Sequence, residues 1–354
     1  MKDILEKFMA RFFSNEESIF FGFLLLLCAI FILLFGDILL PVFISIVIAF
    51  LLNGLLKGFE SLKISSTISL LLTLVIFFGF YLSIFIALPS LGSQINSLLQ
   101  NLPTIIVAIQ ETLGELAVTY DDIFSEEDIN SLFLNFSDQV NNLLSQALGQ
   151  LAGTISFMFS AVLYAILIPI MVFFFLKDKT ILLPMLTGFL PKKRGFMNSV
   201  FSEMNDQLYN YVTGKVIEMT IVALCSYAVL ALFGLPYAVL MSILVGLSVV
   251  IPFFGAILVT IPVAFLGLYE WGLNSQFLWF MSSYLLIQVL DGNVLVPFLF
   301  STRNNLHPVV IIITILFFGG IWGFWGLFFA IPLATFIKAI FNSCDSIIGD
   351  IASY

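Results

Sequence analysis

The chain has 354 residues, of which 61% are hydrophobic and 10% charged, and Phe alone occurs 41 times. A soluble domain is roughly 45–50% apolar and about 25% charged. Too little polar surface is left to coat a water-soluble globule of this size, which excludes a soluble enzyme as the default. The net charge of −9 and the lack of a basic stripe exclude a nucleic-acid partner. Cys28, Cys225 and Cys344 stand apart in apolar or helical contexts without a CxxC, so neither a disulfide framework nor a metal site is indicated. What remains is an all-α integral membrane protein.

A spanning helix needs roughly 20 apolar residues to cross a hydrocarbon core about 30 Å thick. In chain order the candidates are 19–36, 38–56 beyond Asp37, 64–88 ending at Pro89, 151–176, 215–234 ending at Gly234, 238–268, about 275–296, and 308–340. That makes about eight transmembrane segments, some broken or re-entrant. Pro41 suits a first helical turn. An even count of spans puts both termini on one side. The first segment follows Lys2, Lys7 and Arg11 but is long, lacks a clear small-x-small cleavage site and leads directly into a second span, so it reads as a retained anchor.

Lys and Arg collect in cytoplasmic loops. They occur at the N-terminus, at Lys57 and Lys63, and across 177–215 at Lys177, Lys179, Lys192, Lys193, Arg194 and Lys215. Residues 89–150 hold no Lys or Arg and eight acids. This bias assigns both termini and 177–214 to the cytoplasm and 89–150 to the outside. Three regions result: 1–88 with three spans, an extracytoplasmic helical insert at 89–150, and 151–354 with five segments. The insert carries a helical stripe through Leu98, Leu102, Ile105, Ile106, Ile109, Leu113 and Leu116. A second helix, capped by Ser125 ahead of Glu126, Glu127 and Asp128, leads into the fourth span. The insert reads either as a vestibule or oligomer contact, or as a solvated acidic cap. On the cytoplasmic side, Pro184 and Pro191 precede an amphipathic helix at about 195–212, marked by Phe196, Val200, Met204, Leu208 and Tyr211. Behind Lys192, Lys193 and Arg194 it suits an anionic leaflet or serves as a topology determinant.

The C-terminal third carries two similar blocks. One runs from Gly234-Leu235-Pro236 through Ile251-Pro252-Phe253-Phe254-Gly255 to Ile261-Pro262. The other runs from His307-Pro308 through Gly319-Gly320-Ile321-Trp322-Gly323-Phe324-Trp325-Gly326 to Ile331-Pro332. Pro and Gly deep in a membrane free backbone groups that protein or a watery cavity must satisfy. Interrupted segments in corresponding positions point to a transport site; the bland alternative is close helix packing at Gly319-x-x-x-Gly323. Pro252, Gly255, Pro262, Pro297 and Pro332 are therefore the candidate helix breaks, their freed backbone facing an aqueous route. Between the blocks, Gln288, Asp291 and Asn293 end a long apolar run, followed by Arg303 and His307. An ionisable residue inside a membrane is costly and marks a functional hypothesis. Asp291, Asn293 and Gln288 either line a pathway, with Arg303 as partner, or form an interfacial turn. His307, before Pro308, reads as a cap or a proton relay, the cap being the simpler. Glu218 lies three residues after Lys215, the spacing of an intrahelical ion pair, and is the second carboxylate candidate. No nucleotide-binding Gly-rich loop, catalytic constellation, metal cluster or cofactor motif is visible.

These blocks, with Phe174-Phe175-Leu176-Lys177-Asp178, Asp291-Gly292-Asn293-Val294-Leu295-Val296-Pro297, Asn305-Leu306-His307-Pro308 and Ile331-Pro332-Leu333-Ala334-Thr335, resemble the AI-2E (autoinducer-2 exporter) family across essentially the whole chain, and its permease branch most. Typical members pair an acid with Asn near Asp291; here Gly292 intervenes. The resemblance implies a bacterial inner-membrane permease with eight membrane segments. It implies export of a small polar, autoinducer-2-like solute; other members are described as sodium/proton antiporters. The expected partners are the lipid bilayer and a small polar solute or coupling ion, with self-association left open. A non-transporting scaffold using the acidic insert is the reading from a different class.

Overall fold

The computed structural model describes residues 16–119, 154–188, 190, 195–252, 254–300 and 307–352. Those residues are predominantly helical, with no strand among them. The elements are α1 (Glu16–Ser61), α2 (Ser66–Thr119), α3 (Thr154–Lys177), α4 (Lys179–Thr187), α5 (Gly195–Leu232), α6 (Ala238–Ser248), α7 (Phe254–Trp271), α8 (Ser275–Leu290), a π-helical turn (Asp291–Leu295), α9 (Val296–Phe300) and α10 (Pro308–Ala352). Seven helical stretches are long and apolar enough to cross a membrane, with shorter apolar helices at Ala238–Ser248, Val309–Gly323 and Trp325–Ile340. Large apolar side chains such as Leu34, Ile86, Leu232 and Phe298 stand outward, as they must where the surrounding solvent is lipid. Arg303, and the expected helix starting at Ser125, lie outside the described residues.

Two expected boundaries are absent. The chain does not turn at Asp37: α1 is one helix of 46 residues with Pro41 in its interior. At 1.5 Å per residue it is about 69 Å long, more than twice the hydrocarbon thickness. Residues 19–36 and 38–56 therefore do not form an antiparallel pair, and the even-count argument for the termini loses its basis. Pro89 does not end the third segment either. α2 runs 54 residues through Pro89 and Pro103, so the Leu98–Leu116 stripe continues the spanning helix. Proline is tolerated inside membrane helices because neighbouring groups re-satisfy the freed backbone. Near Pro41, Ser45 Oγ donates to the carbonyls of Pro41 (2.6 Å) and Ile168 (3.4 Å).

The described residues fall into two compact units: those within 1–80, 161–213 and 302–354, and those within 81–160 and 214–301. In the first unit, Phe21, Met197 and Val200 form a buried cluster with Leu24, Leu25, Phe336 and Ile340. The Met197 N–H donates to Glu17 Oε1 at 3.2 Å. Lys179 Nζ donates to Asn53 Oδ1 at 3.0 Å; burial, then the neighbouring Lys57 ammonium, hold Lys179 below the ordinary lysine range, with Glu60 opposing them.

In the second unit the chain leaves α5 through a helix stop built by its own sequence. The Gly234 N–H bonds the Ala231 carbonyl (3.0 Å) and the Leu235 N–H bonds the Leu230 carbonyl (2.9 Å). This paired 5→2 and 6→1 pattern needs a left-handed residue, and Gly234 supplies it at φ 74°. Leu235 is buried and Pro236 prevents continuation. α2 then receives α6: Gln94 Oε1 accepts the Leu240 N–H (3.1 Å), and Asn101 Nδ2 donates to Tyr237 Oη (2.8 Å). Ile105 and Ile109 join Val222, Leu230, Val245, Val263, Phe280 and Tyr284 in the main apolar core of this unit.

Each unit contains one of the two C-terminal blocks, and both fold as interrupted helices. In the first block α6 ends at Ser248, a turn covers 249–252, and α7 packs against α6. A Cβ on Gly255 would overlap the Ser248 carbonyl. In the second block α10 breaks at Gly323, at φ 57° and ψ −133°, a conformation for glycine alone. A Cβ on Gly326 would overlap the Phe318 carbonyl, eight residues earlier. Residues that far apart in an unbroken helix are about 12 Å apart, so the chain folds back at Gly323. α6 is about 16 Å long and the first arm of α10 about 23 Å, short of the hydrocarbon thickness; the apolar stretch of the second arm, Trp325–Ile340, is about 24 Å. Both reversals carry two aromatics and then the glycine of closest approach: Phe253-Phe254-Gly255 and Phe324-Trp325-Gly326.

The breaks are not at the later prolines. Pro262 and Pro332 lie inside α7 and α10. Pro332 has no N–H for the carbonyl of Phe328, four residues back, and Tyr211 Oη donates to that carbonyl at 3.2 Å. Protein, not an aqueous route, satisfies this group. The substitution Tyr211→Phe is expected to lower stability by about 1 kcal/mol through the orphaned carbonyl, read as a lower melting temperature in detergent. Gly255→Ala and Gly326→Ala must displace backbone and should each melt well below Gly79→Ala, whose added methyl meets nothing within 4 Å.

Candidate functional site

The site begins with a register shift. Pro297 cannot donate to the Asn293 carbonyl, and its ring crowds that turn. The helix widens instead: the Val296 N–H reaches back five residues to the Asp291 carbonyl, closing a π turn over Asp291–Leu295. Such turns recur at functional positions. Among the described residues, Asp291 Oδ1 is buried and makes no hydrogen bond.

Asp291 lies within electrostatic reach of Lys215 and Glu218 on α5. Those two side chains are 5% and 1% exposed. Lys215 Nζ donates to Glu218 Oε2 at 2.9 Å and to Oε1 at 3.1 Å. It also lies 5.6 Å from the centroid of the Phe300 ring, whose negative face attracts a cation. Phe300 reaches this place because residue 214 is glycine: a Cβ there would come within 2.8 Å of the ring. The Lys215–Glu218 spacing expected from the sequence is thus a buried ion pair, and Asp291 is the third charge beside it.

Gln288 sits one turn before Asp291 on the same face of α8, and Tyr284 one turn earlier still. Gln288 Nε2 donates to Tyr284 Oη at 2.8 Å, and Tyr284 Oη is 3.3 Å from Thr260 Oγ1, which donates to the Ala256 carbonyl at 2.6 Å. Tyr284 is fully buried. This polar file ties α7, the second arm of the interrupted block, to the helix that carries Asp291. Pro252 lies in the turn ahead of that arm, Gly255 in the arm's first helical turn, and Pro262 follows Thr260 within it.

The other candidates are elsewhere. Asn293 is exposed and donates to its own helix, at the Val289 carbonyl (2.9 Å). His307 belongs to the other unit, where its Nδ1 accepts the Val309 N–H at 3.3 Å and caps α10. Pro332 also belongs to that unit. Sequence reasoning missed Tyr284, Thr260 and Phe300. Tyr284 had a signal in its hydroxyl four residues before Gln288 in an apolar run; Thr260 and Phe300 meet the site only through tertiary packing. Removing one partner of a buried ion pair costs about 3–5 kcal/mol, so Glu218→Ala should melt far below wild type, while Lys215→Met with Glu218→Gln should recover most of that loss.

Residues 20–345 match the profile of the AI-2E family transporters. The chain is 38% identical to the putative permease PerM of Escherichia coli K12 over 350 residues, 97% of this chain and 98% of that protein. It is 26% identical to the putative transport protein YueF of Bacillus subtilis, over 88% of this chain and 85% of that one. It is 24% identical to the AI-2 transport protein TqsA of Escherichia coli K12, over 86% and 85% of the two chains. With a profile match across nearly its whole length and a relative of this similarity over almost every residue, the chain belongs to the AI-2E transporter family.

Proposed function

We propose that the chain is a secondary exporter of a small polar solute in a bacterial inner membrane, working by alternating access around its two interrupted helical blocks. The observation that carries this reading is Asp291: a carboxylate with a buried, unbonded oxygen, on a helix of membrane-spanning length, joined by a polar file to the arm of one interrupted block. Ionisable residues in such settings mark substrate and ion pathways, and interrupted helices supply binding groups at mid-membrane. In this reading 177–214, with its basic residues, faces the cytoplasm and the acidic region 89–150 faces outward. The printed name of the TqsA relative supports autoinducer-2 as the first solute to try.

The buried charge cluster favours a second reading, exchange of sodium for protons, in which Asp291 or Glu218 carries the ion. Proteoliposome flux separates the two. Solute efflux should fall at least about tenfold in Asp291→Asn, a loss of about 1.4 kcal/mol or more in the transition state, and remain in Gly79→Ala. Unchanged efflux in Asp291→Asn removes this residue from the mechanism. Cation flux without solute, driven by a sodium or proton gradient, selects the second reading.

A further inference from the structure

Lys215, Glu218 and Asp291 carry one positive and two negative charges when ionised. A net charge buried in low dielectric is costly unless it is paired. The structure shows how the single ammonium is allocated: both Glu218 oxygens hold it and the Phe300 ring covers it, while Asp291 Oδ1 has no bond. The π turn presents Asp291 where the helix is widened. Among the described residues the cluster is thus one positive charge short, and the shortfall is at Asp291.

We propose that Asp291 binds one monovalent cation, and that Lys215 is a tethered competitor for it. While Glu218 holds the ammonium, Asp291 is open. When the ammonium moves to Asp291, the site is closed. Glu218 is then a positioning residue: it keeps Lys215 away from the site without touching the bound ion. The proposal rests on Asp291 being a pathway residue, and adds the chemistry of its occupant and the device that admits it.

Charge counting sets the test. Asp291→Asn leaves the cluster neutral. Glu218→Gln also leaves it neutral, because Lys215 is released to pair with Asp291. Lys215→Met together with Glu218→Gln restores a single unpaired carboxylate. The full-length protein is purified in detergent micelles and its melting temperature followed as sodium chloride replaces choline chloride at constant ionic strength and alkaline pH.

Wild type and the double variant should be stabilised by sodium; Asp291→Asn and Glu218→Gln should lose that response. Regaining ion binding by deleting a second charge is not something a merely structural ion pair would do. Size-exclusion chromatography establishes that each variant is folded and monodisperse, and a conservative Glu218→Asp variant, which keeps the holding carboxylate, should respond like wild type. The proposal is overturned if wild type shows no sodium-specific shift, if Glu218→Gln responds like wild type, or if a folded double variant fails to respond. Failure here is separable from failure of the transport reading: loss of solute efflux in Asp291→Asn alongside equal sodium responses in all variants would leave transport standing and remove the competitor.

Discussion

Inside a bilayer every backbone amide and carbonyl must find a partner within the protein, because lipid offers none. Much of this structure follows from where proline breaks that rule and what answers it. Pro332 deprives the Phe328 carbonyl, and a tyrosine hydroxyl from α5 replaces the missing donor. Pro297 deprives the Asn293 carbonyl, and there the helix changes its pitch. The first solution locks a helix to its neighbour. The second leaves a carboxylate at the start of a widened turn. The same residue type thus produces a structural clasp in one unit and the centre of the candidate site in the other.

Glycine performs the complementary task. Gly255 and Gly326 let the second arm of each interrupted block approach the carbonyl of the first, and Gly214 lets an aromatic ring lie over a buried ammonium. Small residues take this role in membranes because packing and hydrogen bonding, in place of the hydrophobic effect, hold helices together there. The charged cluster depends on the same packing. An ion pair as buried as Lys215–Glu218 persists only where its geometry and remaining contacts offset the loss of hydration.

Much of the fold was legible in the sequence because lipid imposes a length and composition on each spanning helix. The helix stop at Gly234-Leu235-Pro236, the Lys215–Glu218 pairing and the two similar C-terminal blocks are local patterns, and local patterns survive in a sequence. Continuity across Asp37 and Pro89 was not legible: an acid or a proline ends a helix in water, whereas membrane helices and long amphipathic ones carry both. The later prolines looked like breaks for the same reason, while the reversals depend on a backbone angle at Gly323 and a turn before Phe254. Within the site, Asp291, Gln288 and Glu218 could be found as polar exceptions in apolar runs. Phe300 could not, since one phenylalanine among 41 carries no label until the fold places it. Asn293 had the same polar signature as its neighbours, but it lies inside the π turn, where the chain is locally rotated, and it faces outward.

That rotation has a mutational meaning. A π turn holds one residue more than the α-helical turn it replaces, so it behaves as a built-in insertion. Deleting a single residue between Gly292 and Leu295 would let the helix close at ordinary pitch and leave everything downstream facing as it does now, because four α-helical steps of about 100° cover the same rotation as the five wider steps of the π turn. Phe300 would stay over the lysine head group, and what the cluster would lose is the widened turn that presents Asp291, with no charged atom altered. Insertions and deletions are usually borne by loops; here a change of one residue is absorbed in the middle of a helix.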